Sequence, residues 1–331
     1  MNRTRTAAPL ALLLSLLLTL AGGATQAAGF TSISAPDPEG DALEVGIWYP
    51  STTEAAPLAM GPITQTVALN APIAGQALPL VLVSHGTGGS LLSHHDTAIA
   101  LADAGFIVAA VEHTGDNYRD QSRALQIRDR ARQVSRVIDH LLTNWDGHAH
   151  IDALRIGMFG FSAGGFTALV DIGGKPDLTR IAPYCKDHPS DYACVLIAAH
   201  PEFKVGADTD RKDMRDRRIR SAVVAAPALG YTFAPDGLHD VTVPVALWRA
   251  EHDIIVPDPW YTEAVRLALA QAPEYHLVPK AGHFDFLAPC SAQLAAIAPP
   301  ICASAKDFDR SAFHAEFNAA VVTFFSRTLE N

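Results

Sequence analysis

The apolar positions of this chain fall into short continuous runs, set between amphipathic and turn-rich stretches. Leu78–Ser84 (LPLVLVS), Phe106–Val111 (FIVAAV), Ile156–Phe159, Ser221–Ala226 and Val243–Ala250 are apolar with little alternation. A strand covered on both faces has this pattern, because neither side meets water. Leu43–Tyr49 (LEVGIWY) predicts an earlier strand ending at Pro50, and Tyr275–Val278 a late one. Between them, Ser93–Ala104, Ala163–Asp171, Trp260–Ala270 and Ser311–Arg327 read as helices. The first stops at Gly105 and the second at Gly173-Gly174. Arg119–Trp145 predicts one long amphipathic helix, with Leu125, Val134, Val137, Ile138, Leu141 and Leu142 on one face and Arg and Asp residues opposite. The Ala-, Pro- and Thr-rich stretch to Gln76 and residues 280–308 read as loops. Pro176–Arg218 is polar and aperiodic, and reads as an insertion capping the site. Alternating strands and helices predict an α/β fold with a mostly parallel central sheet, helices on both faces and this cap-like insertion. No internal repeat is visible.

Ligands of such sheets bind at the carboxyl ends of the strands. One serine sits there in a suggestive frame, MFGFSAGGFTAL from Met158 to Leu169. The apolar run before Ser162 and the helix pattern after it make a nucleophile elbow, in which a sharp turn exposes the serine oxygen. Gly160 and Gly164 leave room where a side chain would collide with neighbouring backbone. A serine hydroxyl needs a base to take its proton, and the base needs an acid to orient it, in the order Ser, acid, His. Asp253 lies three residues past the 243–250 strand, and His283 lies on a loop past the next one. Glu251, Asp236 and Asp258 compete for the acid role. The remaining histidines include His148, His150, His239 and His314, all read as surface side chains, and His85, read as structural. An oxyanion needs two N–H donors. Ala163 N–H follows the nucleophile, and Thr87 N–H lies in the glycine-rich SHGTGGS loop. Phe161, Tyr231, Trp260, Phe284 and Phe286 are candidate pocket walls. His94, His95, Asp96 and His113 match no metal-ligand spacing, so no metal is expected, and this chemistry calls for no cofactor.

The first 27 of the 331 residues begin with Arg3 and Arg5, continue with an apolar run from Leu10 to Leu20, and end in small residues. That is the pattern of a signal peptide cleaved near Ala27 or Ala28, which predicts a periplasmic or secreted protein with no membrane anchor after cleavage. The domain then spans 28–331. The formal net charge is −10, and losing the two leader arginines takes it to about −12, which argues against a nucleic-acid partner. The Arg211–Arg220 run has acids interleaved and reads as a solvated face. An exported protein with four cysteines is expected to form disulfides. The local pairs Cys185–Cys194 and Cys290–Cys302 are preferred, because each would staple one Pro-containing loop.

The blocks LVLVSHGTGG, LADAGFIVAAVEHTGDN, GMFGFSAGG, AEHDIIVP and AGHFDFL resemble the α/β-hydrolase superfamily. More closely, the chain looks like platelet-activating-factor acetylhydrolases and the bacterial secreted proteins called predicted dienelactone hydrolases, over about residues 31–330. The resemblance implies an α/β-hydrolase fold and a serine esterase acting through Ser162, Asp253 and His283, with an oxyanion hole at Thr87 and Ala163. Its substrate would be a small-molecule or lipid ester. Two departures qualify it. Dienelactone hydrolases proper use a cysteine where this chain has Ser162. The eukaryotic acetylhydrolases place their acid after an earlier strand, which here leads into APALGYTF without an acid. A phospholipid esterase, a peptidase and a non-catalytic binding protein on this scaffold remain alternatives.

Overall fold

The computed structural model describes residues 27–201 and 213–330. The leader assigned to residues 1–27 lies outside them except for Ala27, which opens the first strand. The strands are β1 (Ala27–Ala35), β2 (Leu43–Ser51), β3 (Ala56–Met60), β4 (Ile63–Leu69), β5 (Leu78–Ser84), β6 (Ile107–Val111), β7 (Ile151–Phe161), β8 (Ile219–Ala225), β9 (Val245–Ala250) and β10 (Glu274–Val278). They form one sheet in the order β10-β9-β8-β7-β5-β6-β2-β1-β4-β3. From β10 to β6 every neighbouring pair is parallel. β2 joins β6 antiparallel and leads into the flank formed by β1, β4 and β3.

The α-helices are α1 (His95–Asp103), α2 (Asp129–Thr143), α3 (Ala163–Asp171), α4 (Ile181–Asp187), α5 (Tyr192–Ala199), α6 (Thr262–Ala268), α7 (Ala292–Ile297), α8 (Pro299–Cys302) and α9 (Arg310–Thr328). Every residue of α3 is buried, as a helix without a polar face must be. β5 buries Leu80, Val81, Leu82, Val83 and Ser84 in succession, and β6 buries all five of its residues. The continuous apolar runs arise from this two-sided cover. β5 is paired with β6 on one side and β7 on the other, so the chain reverses its direction of progress across the sheet there. The crevice at such a switch point lies beyond the carboxyl ends of β5 and β7, and that is where Thr87 and Ser162 follow.

Four expectations need correction. The stretch to Gln76 is not all loop: β3 and β4 form a hairpin at the edge of the sheet, with no residue of β3 buried. The helix expected from Arg119 begins only at Asp129. Residues 117–126 instead turn on themselves, with Asn117 Oδ1 accepting from the Arg119 and Asp120 N–H groups and Gly115 O accepting from Arg123 N–H at 2.7 Å. Within α2, Arg130 is buried rather than solvent-facing, and Gln133 is buried too. Finally, residues 280–308 contain a short 3-10 turn at His283–Phe286 and the helices α7 and α8. Both local disulfides are formed, Cys185–Cys194 and Cys290–Cys302. Among the described residues, no helix is long and apolar enough to cross a membrane.

Candidate active site

Ser162 joins β7 to α3 with φ 55° and ψ −116°, a strained conformation for a residue with a side chain. Its main chain is held on both sides. The Ser162 N–H donates to Ala225 O at 3.0 Å, and its carbonyl accepts from Phe166 N–H at 3.0 Å and Ala228 N–H at 2.9 Å. The glycines around it are steric requirements. A Cβ at Gly160 would overlap the Gly164 carbonyl, and one at Gly164 would overlap the Ser84 carbonyl.

His283 reaches Ser162 from the loop after β10. Its Nε2 lies 3.0 Å from Ser162 Oγ, and its Nδ1 lies 2.8 Å from Asp253 Oδ2. A carboxylate only accepts, so Nδ1 carries the proton and Nε2 is left free to accept the Ser162 hydroxyl. The His283 and Asp253 side chains are 3% and 5% exposed, so this chain of bonds is shielded from water. Asp253 Oδ1 accepts from the N–H groups of Ile255 and Val256, which fixes its carboxylate beyond β9. Two of the competing acids point elsewhere. Glu251 accepts from Lys280 N–H at 2.8 Å, and Asp258 pairs with Arg249 and accepts from Glu263 N–H. The His283 loop is braced from below, where Asp285 accepts from Gly282 N–H, Arg310 Nε and Ser304 Oγ.

Thr87 sits in the turn after β5, closed by Gly89 N–H donating to Gly86 O at 3.0 Å. Gly88 has φ +64°, as the third position of a type II turn requires. Ala163 N–H heads α3, where the first amides have no intrahelical partner. Beneath this turn lie His85 and His113. Burial, reinforced by the Arg130 charge, holds both rings well below the usual histidine range, so both are neutral. His113 Nδ1 donates to Gln133 Oε1 at 2.7 Å, and its Nε2 accepts from Ser84 Oγ at 2.8 Å. His94 is buried against the Phe159 and Phe161 rings and is pushed down to about 3 by burial. His314, expected at the surface, is buried between Asp96 and the Asp285 carbonyl. Among the described residues no cluster of three or more His, Cys, Asp or Glu side chains is arranged for a metal ion.

An apolar cavity opens at Ser162, Ala163 and Thr87. Its wall differs from the aromatic one expected. Leu178, Ile181, Tyr192, Leu196 and Ile197 line one side, all from the 176–218 stretch. Ala124, Leu125, Ile127, Leu229, Ile255 and Tyr261 line the rest. Phe161 instead packs on the His283 ring at 4.7 Å between centroids, and Phe286 lies behind it. Tyr231 is buried in a stack with Tyr184, Phe284 packs edge-on to His283, and Trp260 is 43% exposed outside the cavity. The usable signal was the apolar octet YACVLIAA of α5, embedded in a stretch that is polar on average.

Residues 49–136 match the family model for platelet-activating factor acetylhydrolase, isoform II. That segment contains the Thr87 turn and most of its supports, and it ends before Ser162. Among solved structures, a ferulic acid esterase from Streptomyces cinnamoneus is similar over 93% of this chain and 91% of its own, with a TM-score of 0.61 and 20% sequence identity. The chain has an α/β-hydrolase fold. No curated protein matches the sequence. The family match supports a carboxylic ester hydrolase, and the structural match supports the fold.

Proposed function

We propose that this α/β-hydrolase is an exported serine esterase that works through an acyl-enzyme. The observation carrying the proposal is the buried chain from Asp253 through His283 to Ser162 Oγ, with an apolar cavity opening on the serine. Ser162 Oγ attacks the ester carbonyl while His283 Nε2 takes its proton. The Thr87 and Ala163 N–H groups receive the oxyanion, and Asp253 stabilises the imidazolium. The tetrahedral intermediate collapses, His283 gives its proton to the leaving alcohol, and water activated by the same imidazole releases the acid. Export would follow from the 1–27 leader, and the two disulfides suit an oxidising compartment. Residues 178–197 act as a cap whose aliphatic wall, Leu178, Ile181, Leu196 and Ile197, accepts an apolar acyl or aryl arm.

A fluorophosphonate probe tests the reading directly. It is expected to label Ser162 stoichiometrically and to abolish hydrolysis of p-nitrophenyl esters. Folded protein that resists labelling would leave a binding protein on this scaffold as the better description. Peptide anilides are expected to turn over far more slowly than esters, and the reverse order would make the protein a peptidase.

A further inference from the structure

We propose that Asp116 and Arg130 are positioning residues that aim the Thr87 N–H at the reacting carbonyl oxygen. The proposal rests on the esterase reading and adds two residues to it. The Thr87 N–H belongs to the same rigid peptide plane as the Gly86 carbonyl, and in a trans peptide the two point in opposite directions. Holding the Gly86 carbonyl inward therefore turns the Thr87 N–H outward. Two donors hold it, Gly89 N–H at 3.0 Å and His85 Nδ1 at 2.7 Å. His85 makes that bond as a neutral ring, because its Nε2 accepts from His113 N–H at 3.2 Å.

The planes on either side are pinned by one ion pair. Arg130 Nη2 donates to the His85 carbonyl, which fixes the preceding peptide. Arg130 Nη1 donates to Asp116 Oδ2 at 2.6 Å, and Asp116 Oδ1 accepts from Gly88 N–H at 3.0 Å, which fixes the following peptide. Three successive peptide planes thus hang on a guanidinium, a carboxylate and a neutral imidazole. The loop after β6 adds a further tie, Tyr118 N–H to Gly89 O at 2.9 Å. Arg130 is 2% exposed and Asp116 3%. A buried ion pair is seldom more stabilising than apolar residues of similar volume, so stability alone gives little reason for one here. A fork that meets a carbonyl and a carboxylate together is a geometric device suited to holding a turn.

The test uses Asp116→Asn, Arg130→Lys and the charge-free double variant Asp116→Asn/Arg130→Met, which avoids stranding one buried charge. Hydrolysis of p-nitrophenyl acetate gives kcat and KM separately. Affinity for a trifluoromethyl ketone, whose adduct with Ser162 carries an oxyanion, reports the donors themselves. Removing a whole oxyanion donor costs about 10²–10³ in turnover, so misaiming one is expected to lower kcat roughly 10–10²-fold with KM nearly unchanged. The ketone affinity should fall in proportion, with Arg130→Lys the mildest because it keeps the charge and loses the fork. A folded variant with unchanged kcat, or one whose kcat falls while ketone affinity holds, overturns the proposal. So does failure of all three to fold, which would make the pair a stability element. Ser162→Ala separates the two levels. Hydrolysis that survives it brings down the esterase reading and this proposal together, whereas hydrolysis lost there but intact in the loop variants overturns the proposal alone.

Discussion

Beneath Ser162, the loops at 84–90 and 113–118 are tied to each other by hydrogen bonds and the buried Arg130–Asp116 pair, and the loop at 282–286 is held to α9 by a second buried pair, Arg310–Asp285. Across the cavity, the facing wall presents Leu178, Ile181, Leu196 and Ile197. The floor consists of directional contacts, which fix an atom in both distance and angle. The wall consists of dispersion contacts, which are summed over many atoms and tolerate exchange of shape. A reaction that needs a nucleophile, a base and two donors in register requires the first kind of contact. A site that sorts esters by the bulk of one arm needs only the second. The fastenings differ in the same way. The wall is stapled by Cys185–Cys194 and by Asp191, which accepts from Tyr261 Oη at 2.6 Å and Tyr184 Oη at 3.0 Å. The two cysteines and Asp191 are not among the lining residues, whereas Tyr261 both lines the cavity and carries the bond to Asp191.

Substitution in the floor should therefore destroy chemistry while sparing the fold, and the effect should be the largest available. Asp253→Asn leaves a side chain of the same shape but presents His283 in the wrong tautomer, and turnover should fall about 10⁴-fold. Thermal denaturation should show little change. If Asp236→Asn has that effect instead, the acid is wrongly placed. The staple of the wall should show the converse. The Cys185→Ser/Cys194→Ser pair opens a loop whose ends are 9 residues apart, and the chain-entropy model puts the loss at about 3 kcal/mol at most. Urea unfolding measures it. The acetyl ester should still turn over at a similar kcat. An equal collapse of kcat would show that the wall carries part of the chemistry, and the contrast between the two regions would be lost.

Within the wall, Leu196→Ala should change selectivity more than rate. Removing one aliphatic group from a hydrophobic pocket costs roughly 10–200-fold in discrimination at most. About a tenfold loss of kcat/KM is expected for an ester with a bulky apolar arm, against little change for the acetyl ester. Equal losses on both substrates would place Leu196 in the general support of the site and not in its wall.

The same contrast explains what could be read from the chain beforehand. Ser162, Gly160 and Gly164 are local: a buried run, a tight turn and a helix lie within twelve residues. Asp253 and His283 are distant but ordered, each just past its own strand, so sequence order was enough to bring them forward. The braces are neither local nor ordered. Arg130 sits in an amphipathic repeat where an arginine normally faces water, and only the fold shows that its face meets the Thr87 turn. The wall was missed for a related reason, since α5 is an eight-residue apolar helix inside a polar average. Among the aromatic candidates, Phe161, at the end of β7, packs on the His283 ring. The β3–β4 hairpin was read as loop because prolines flank and interrupt its short runs, and the edge strand β3 buries none of its residues.

Asp171, outside the floor, departs from its pattern of matched polar groups. It lies in α3, nine residues after the nucleophile and fully buried, and neither carboxylate oxygen has a hydrogen-bond partner among the described residues. Burial, with a smaller push from Asp216, raises its pKa well above 3.8. A carboxyl whose folded value is raised contributes its full stability below the unfolded value, and that contribution is lost as pH rises through the folded one. Wild type should therefore lose ground to Asp171→Asn as pH climbs from about 4 to 8, because the amide has no charge to strand. The change in the Tm gap is the smallest effect expected here, on the order of 2 °C. A gap that stays flat across that range would mean that Asp171 is ionised and matched in the folded protein, and α3 would then end without an unpaired carboxyl.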